Sequence, residues 1–279
     1  MKTLYSDAIE DAVARMCIHA NRYLPEDVQK CFARCSSEES VPAAKEIFRQ
    51  LEENYTLAAR TGLPLCQDTG LACFFVELGQ DLHIFGKNIR EAINDGVRKG
   101  YDEGRLRKSA CDPFTRANTG DNTPAVIHFD IVPGDALRIS FMAKGGGSEN
   151  MSRVTMLAPA EGWEGIRKFV LQRVAEAGPN PCPPIVVGIG IGGTFDYAPV
   201  LAKKALLRKL WDRNPDPGLD AKEKELLADI NKLGIGPMGL GGLTTALDVK
   251  INVSPCHIAS LPLAVNIQCH SARHEEVEL

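Results

Sequence analysis

The sequence predicts an α+β fold, a mixed sheet with packed helices, in which a helical N-terminal region precedes a mixed α/β region. Two observations lead there. The first 60 residues carry helical stripes, whereas from Leu63 onward short strand-like runs occur both next to one another and in alternation with helices. A purely doubly wound fold would alternate throughout. No repeat, low-complexity tract or linker interrupts the 279 residues, so one domain is expected, with a helical lobe over about 1–60 and an α/β lobe over about 61–279.

Each element has its own signal. Asp7 to Ala20 sets Ile9, Val13 and Met16 on one stripe, and Val41 to Arg60 spaces Ile47, Leu51 and Leu57 similarly. Between them, Leu24-Pro25-Glu26-Asp27 reads as a helix start, with proline and acids in the first turn. Leu71 to Leu78 is an apolar, aromatic run of strand type, and Lys87 to Gly100 returns to helical spacing. Two strands, Ala125 to Asp130 and Ala136 to Met142, flank the turn Val132-Pro133-Gly134-Asp135. A helix over Glu164 to Glu176, a buried strand over Pro184 to Ile191 and a helix over Tyr197 to Leu210 follow. Asp212 to Gly218 reads as a loop and Ala221 to Leu233 as a helix. Strands over Val249 to Val253 and Leu261 to Ile267 complete the pattern.

Composition excludes several classes. A net charge of −4 argues against a general nucleic-acid surface, which is normally basic. No run of about 18 apolar residues predicts a membrane helix, and Met1 to Ala20 lacks a signal-peptide core. A cytoplasmic protein is expected. Nine cysteines, an odd number, then point away from a disulfide framework and toward metal ligands, catalytic thiols or plain buried residues.

Four stretches concentrate glycine, cysteine and polar groups: Leu63 to Gly70, Ala143 to Ser148, Pro181 to Thr194, and Ser254-Pro-Cys-His257 running to Cys269-His270. Glycine runs cost backbone entropy, so several in one chain suggest places where backbone approaches a ligand, with tight turns as the alternative. Gly188, Gly190 and Gly193 match a dinucleotide-binding fingerprint, yet no βαβ signal precedes them and no ribose-binding acid ends a following strand. Zinc is suggested by Cys256-His257, Cys269-His270 and His274, but their spacing is not that of a finger. An iron–sulfur cluster fits better, because its thiolates come from well-separated turns. Cys66 lies in a Pro/Gly-bounded turn, Cys182 is flanked by Pro181 and Pro183, and Cys269 ends an apolar strand; six other cysteines compete.

Cys66-Gln67-Asp68-Thr69-Gly70, Lys144-Gly-Gly-Gly-Ser148, Cys182-Pro-Pro184 with Gly188 to Thr194, Gly236-Pro-Met-Gly-Leu-Gly-Gly242 and Pro255-Cys-His257 occur in that order. With them the sequence resembles the alpha subunit of class I (iron–sulfur) fumarate hydratase and L(+)-tartrate dehydratase, from about residue 5 to His274. The resemblance implies a [4Fe–4S] cluster on Cys66, Cys182 and Cys269, with one iron open to substrate and Cys256 as rival third ligand. It implies that Asp68 and His257 serve catalysis, and that Gln67, Arg107, Lys144, Gly145 and Gly146 bind a dicarboxylate, Arg105 and Arg116 being near enough to compete with Arg107. His270 departs from the small residue expected after the third ligand. The resemblance also implies a beta subunit that supplies a base and further arginines, in an α2β2-type assembly; from the charge and the lack of an apolar run, no nucleic acid or membrane partner is expected. Fumarate is the first substrate expected and L-tartrate the alternative. Loss of activity in oxygen is expected as well.

Overall fold

The computed structural model describes residues 2–279. In chain order the N-terminal half comprises β1 (Lys2–Tyr5), α1 (Ser6–Arg22), α2 (Glu26–Glu38), α3 (Pro42–Thr61), β2 (Leu71–Gly79), β3 (Leu82–Phe85), α4 (Ile89–Glu103), β4 (Val126–Val132) and β5 (Leu137–Lys144). There follow α5 (Gly146–Glu149), β6 (Arg153–Leu157), α6 (Gly162–Ala177), β7 (Ile185–Gly192), α7 (Tyr197–Ala205), α8 (Pro217–Asn231), β8 (Ala246–Ser254), β9 (Leu261–Gln268) and β10 (His274–Glu278). The fold is α+β, as the mixed order of strands and helices predicts.

The chain forms two compact units that do not follow its order. One comprises the described residues through Pro25, Tyr55–Gly146 and Arg273–Leu279; the other comprises Glu26–Asn54 and Gly147–Ala272. The helices of the first 60 residues are therefore divided between the units, α2 and most of α3 falling in the second.

In the first unit the sheet runs β10-β5-β2-β4, with β2 parallel to β4 and antiparallel to β5. Leu137, Ile139 and Phe141 alternate along β5 with outward Arg138 and Ser140, the period expected of a half-buried strand. They meet Ile9, Val13 and Cys17 of α1 and Ile93, Val97 and Tyr101 of α4 in one core. Phe74 and Phe141 are cross-strand partners with ring centroids 5.1 Å apart. Each aliphatic or aromatic side chain buried in this way contributes on the order of 1.5–3 kcal/mol.

In the second unit the order is β6-β9-β7-β8, and β7 is parallel to β8 but antiparallel to β9. The odd residues of β7, Ile185, Val187 and Ile189, pack with Ile166 and Val170 of α6 and Leu226 and Ile230 of α8. Of its even residues, Gly188 and Gly190 face α7. A Cβ at Gly188 would stand 2.2 Å from the Ala202 carbonyl oxygen, and one at Gly190 would stand 2.0 Å from that of Ala198. The Gly-x-Gly run is thus a seat for a helix backbone, and the sequence suggestion that it admits a ligand at this point is corrected. Gly190→Ala is expected to cost about 1–3 kcal/mol through overpacking; an unchanged urea midpoint would show that α7 does not lie on β7.

Four strands escape the sequence reading: β1, β3, β6 and β10 are each five residues or shorter. β10 reads His-Glu-Glu-Val-Glu, a composition that suits an edge strand but hides a strand pattern. The helix expected to reach Leu210 stops at Ala205. The one expected from Ala221 begins at Pro217, because Asp216 Oδ1 accepts the N–H groups of Gly218 and Leu219 and proline takes the first helical position.

Candidate active site

Between α3 and β2 the first unit makes the turn Cys66 to Gly70, and nearly every polar group in it is fixed. Gly70 has φ +73° and lies so close to Lys144 that a Cβ would stand 2.8 Å from its backbone. The buried Tyr101 hydroxyl donates to the carbonyls of Thr69 (2.8 Å) and Gly70 (3.1 Å). Burial raises that phenol well above its ordinary pKa, so it stays a donor. Asn122 donates from Nδ2 to the Gly70 carbonyl while its Oδ1 accepts the N–H groups of Ser109 and Ala110. Thr69 Oγ1 donates to the Arg107 carbonyl at 2.8 Å, tying that segment to the turn.

Asp68 is held by both oxygens: Oδ1 accepts from Gly70 N–H and Oδ2 from Gly146 N–H, each at 2.9 Å. Ser109 Oγ stands 3.5 Å from Oδ1. The turn therefore presents a half-buried thiol, an exposed carboxamide and a clamped carboxylate in succession at Cys66, Gln67 and Asp68. Arg107 is exposed beside them. Of the residues that the resemblance assigns to a dicarboxylate, Gly146 gives its N–H to Asp68 and Lys144 is 2% exposed at the end of β5.

In the second unit the register of β7 and β9 decides which thiols meet. Val186 pairs with Gln268, so Cys182, just before β7, and Cys269, just after β9, reach the same end of the sheet. The backbone of His270 donates to the Cys182 carbonyl at 3.3 Å, and its Nδ1 donates to the same oxygen at 3.0 Å. Cys182 is exposed at φ +55°, a left-handed conformation that aims the thiol out of its proline-rich loop.

Cys256 and His257 lie elsewhere. Gly192 pairs with Ser254, which puts the Pro255-Cys256-His257 segment beyond the opposite end of β7, about 23 Å away by strand rise. His257 is exposed there; its Nδ1 accepts Ala259 N–H at 3.1 Å, leaving the ring proton on Nε2. With Cys256, Trp163, Ile191 and Val253 it lines a cleft of about 480 Å³. The structure thus brings Cys182 together with Cys269 and sets His257 apart from both.

All nine cysteines are thiols, and their settings differ. Cys17, Cys31, Cys35 and Cys73 are buried, whereas Cys66, Cys111, Cys182, Cys256 and Cys269 reach the surface in part or fully. Cluster ligands must be thiolates within reach of iron. Burial pushes the Cys17 thiol upward, which suits packing rather than ligation. Cys66, Cys182 and Cys269, reachable and set on turns, have the donor chemistry that a cluster needs. Neither unit, among its described residues, gathers three His, Cys, Asp or Glu side chains as a ready-made metal site. Cys31 and Cys35, one helical turn apart and on one face of α2, are buried together, and a hydrogen bond from Cys31 lowers the Cys35 thiol.

Known relatives place the chain in a class. A protein of Methanocaldococcus jannaschii that bears the provisional name L(+)-tartrate dehydratase subunit alpha is 46% identical over 271 residues, covering 95% of each chain. The L(+)-tartrate dehydratase alpha subunits of Escherichia coli strains UTI89 and K12 are 32% identical over 269 residues, covering 95% of this chain and 88% of theirs. The chain is a hydro-lyase. Residues 10–278 match the family described as fumarate hydratase (Fumerase), and the chain belongs to that family. Among the described residues no helix is long and apolar enough to cross a membrane.

Proposed function

We propose that this chain is the iron–sulfur-binding alpha subunit of a two-subunit hydro-lyase acting on a four-carbon dicarboxylate in the cytoplasm. The observation that carries the reading is the convergence of Cys182 and Cys269 at one end of the β7–β9 pair, 87 residues apart in sequence but joined through His270. Cys66, on the turn that also holds Asp68, is the third ligand in this reading. Bound there, a [4Fe–4S] cluster supplies a Lewis acid for the substrate hydroxyl.

The chain's own residues have separate tasks. Asp68, oriented by two backbone N–H groups, exchanges a proton with the departing or incoming water at its carboxylate. Gln67 is an exposed hydrogen-bonding group next to it, and Arg107 offers a planar fork for a carboxylate. Lys144 and Gly145 fix the floor against which the Asp68 turn rests, and Gly146 acts through Asp68. His257 cannot touch a group held by Cys182 and Cys269 of the same unit, so we leave it out of that chemistry. A beta subunit completes the site with the base that takes the carbon-bound proton, as the alpha-subunit names of the relatives suggest.

Fumarate hydration to malate is the reading that the family description favours; dehydration of L-tartrate to oxaloacetate is the one that the relatives' names favour. The test is anaerobic co-expression with the beta subunit, followed by assay of both acids with iron and sulfide quantified. About four irons per alpha chain and turnover of one acid are expected. A folded complex without iron or turnover of either acid would overturn the reading.

A further inference from the structure

Among the described residues Arg273 is the largest fully buried side chain, 1% exposed, and its hydrogen bonds go to neutral oxygens. Its Nη1 donates to the Asp68 carbonyl at 2.6 Å and to Asn21 Oδ1 at 3.0 Å, while Nε has no partner. Asn21 is equally enclosed; its Nδ2 donates to the Cys17 carbonyl on α1, and its own carbonyl accepts Leu65 N–H at 2.8 Å. The segment Leu65 to Asp68 is therefore gripped at both ends by one connected pair, at Leu65 through Asn21 and at Asp68 through Arg273. Cys66 and Gln67 are the two residues between the grips.

The carboxylate is also within the influence of the guanidinium. A Cβ on Gly145 would stand 3.3 Å from Asp68 Oδ2 and 3.6 Å from Arg273 Nη2, so one small residue separates the two groups. A buried cation whose hydrogen bonds all go to neutral oxygens is costly and is kept where negative charge is near or arrives. Thiolates and a dicarboxylate are such charges.

We propose that Arg273 is a positioning residue: with Asn21 it fixes the aim of Cys66, Gln67 and Asp68, and its charge stabilises the anions that assemble on this turn. The proposal rests on the function proposed above. Misplacement of a reacting group by about 1 Å can cost roughly a hundredfold in rate.

The variants are Arg273→Lys, which keeps a charge but loses the fork, and Asn21→Ala, which keeps the arginine and the backbone bond to Leu65 but removes the Oδ1 to which Arg273 donates. In the anaerobic two-subunit complex, Arg273→Lys is expected to retain iron and its thermal midpoint within a few degrees. Its kcat should fall at least tenfold with KM changed less, and the pH profile of kcat should shift. Asn21→Ala should show the same pattern in weaker form. Hydrogen exchange on the alpha chain supplies a readout independent of turnover. The amides of Leu65 and Gly146 should exchange at least tenfold faster in Arg273→Lys, with those of β2 unchanged. Unchanged Leu65 and Gly146 exchange would overturn the proposal, as would wild-type kcat and pH profile in a folded Arg273→Lys complex. A wild-type complex without iron or turnover would instead defeat the functional reading, and the exchange measurement would still decide whether Arg273 holds the turn.

Discussion

Cys182→Ala and Cys269→Ala should each abolish iron incorporation, whereas Cys256→Ala should leave iron content at the wild-type level. The expectation comes from strand register. β7 pairs with β9 so that residues 182 and 269 leave the sheet at one end, and β7 pairs with β8 so that residue 256 leaves at the other. One cluster cannot span the roughly 23 Å between those ends. Turnover should fall below detection in the first two variants, since the open iron is lost with the cluster. Iron and sulfide analysis of anaerobically purified complexes, with absorbance near 400 nm, provides the measurement. Loss of iron in Cys256→Ala with retention in Cys269→Ala would reverse the ligand assignment. Cys66→Ala belongs to the same series and should behave as Cys182→Ala does.

Asp68→Asn is the second large effect. Asparagine keeps the size and one accepting oxygen, which suits Gly70 N–H, but turns its NH₂ toward the N–H of Gly146. Gly146 is exposed, so water can satisfy its N–H and the stability cost should stay within about 0.5–1.5 kcal/mol. The catalytic cost should be far larger, about 10²–10⁴ in kcat, the usual worth of a positioned proton-transfer group. Iron content should be unchanged. A folded, iron-loaded Asp68→Asn enzyme with wild-type kcat would reduce Asp68 to a turn-forming acid.

The helices and central strands were legible because their burial repeats with the period of the element. α1 shows Ile9, Val13 and Met16 at the spacing of one face, and β5 alternates. Residue types on turns also carried information: Cys66 and Cys182 stood out by their Pro and Gly neighbours, and both reach solvent. What the sequence could not carry was register. Whether Cys256 or Cys269 accompanies Cys182 depends on which strand end each one follows, and that is a property of pairing between distant segments. Lys144 was equally opaque, since its burial comes from its place at the end of β5, against Gly70 of the turn that precedes β2. The glycines of β7 misled for a physical reason. Absence of a Cβ permits close approach of any backbone, and here the approaching backbone is a helix of the same chain.

The grip on Asp68 also bears on the order in which the protein can mature. Arg273 lies 205 residues after the aspartate it holds, and β10, which follows it, adds the edge strand beside β5. A ribosome extends the chain by roughly 5–20 residues each second, so Asp68 waits some ten to forty seconds for its partner. The second unit, whose last residue is Ala272, has all of its sequence before the first unit does. The Cys66 turn thus stays untethered from Arg273 until residue 273 is made. Cys269 is made only four residues earlier, so the second sheet and the grip on Asp68 become available almost together, and iron delivered before then would find neither Cys182 and Cys269 brought together nor Cys66 held, a temporal gate set by connectivity alone.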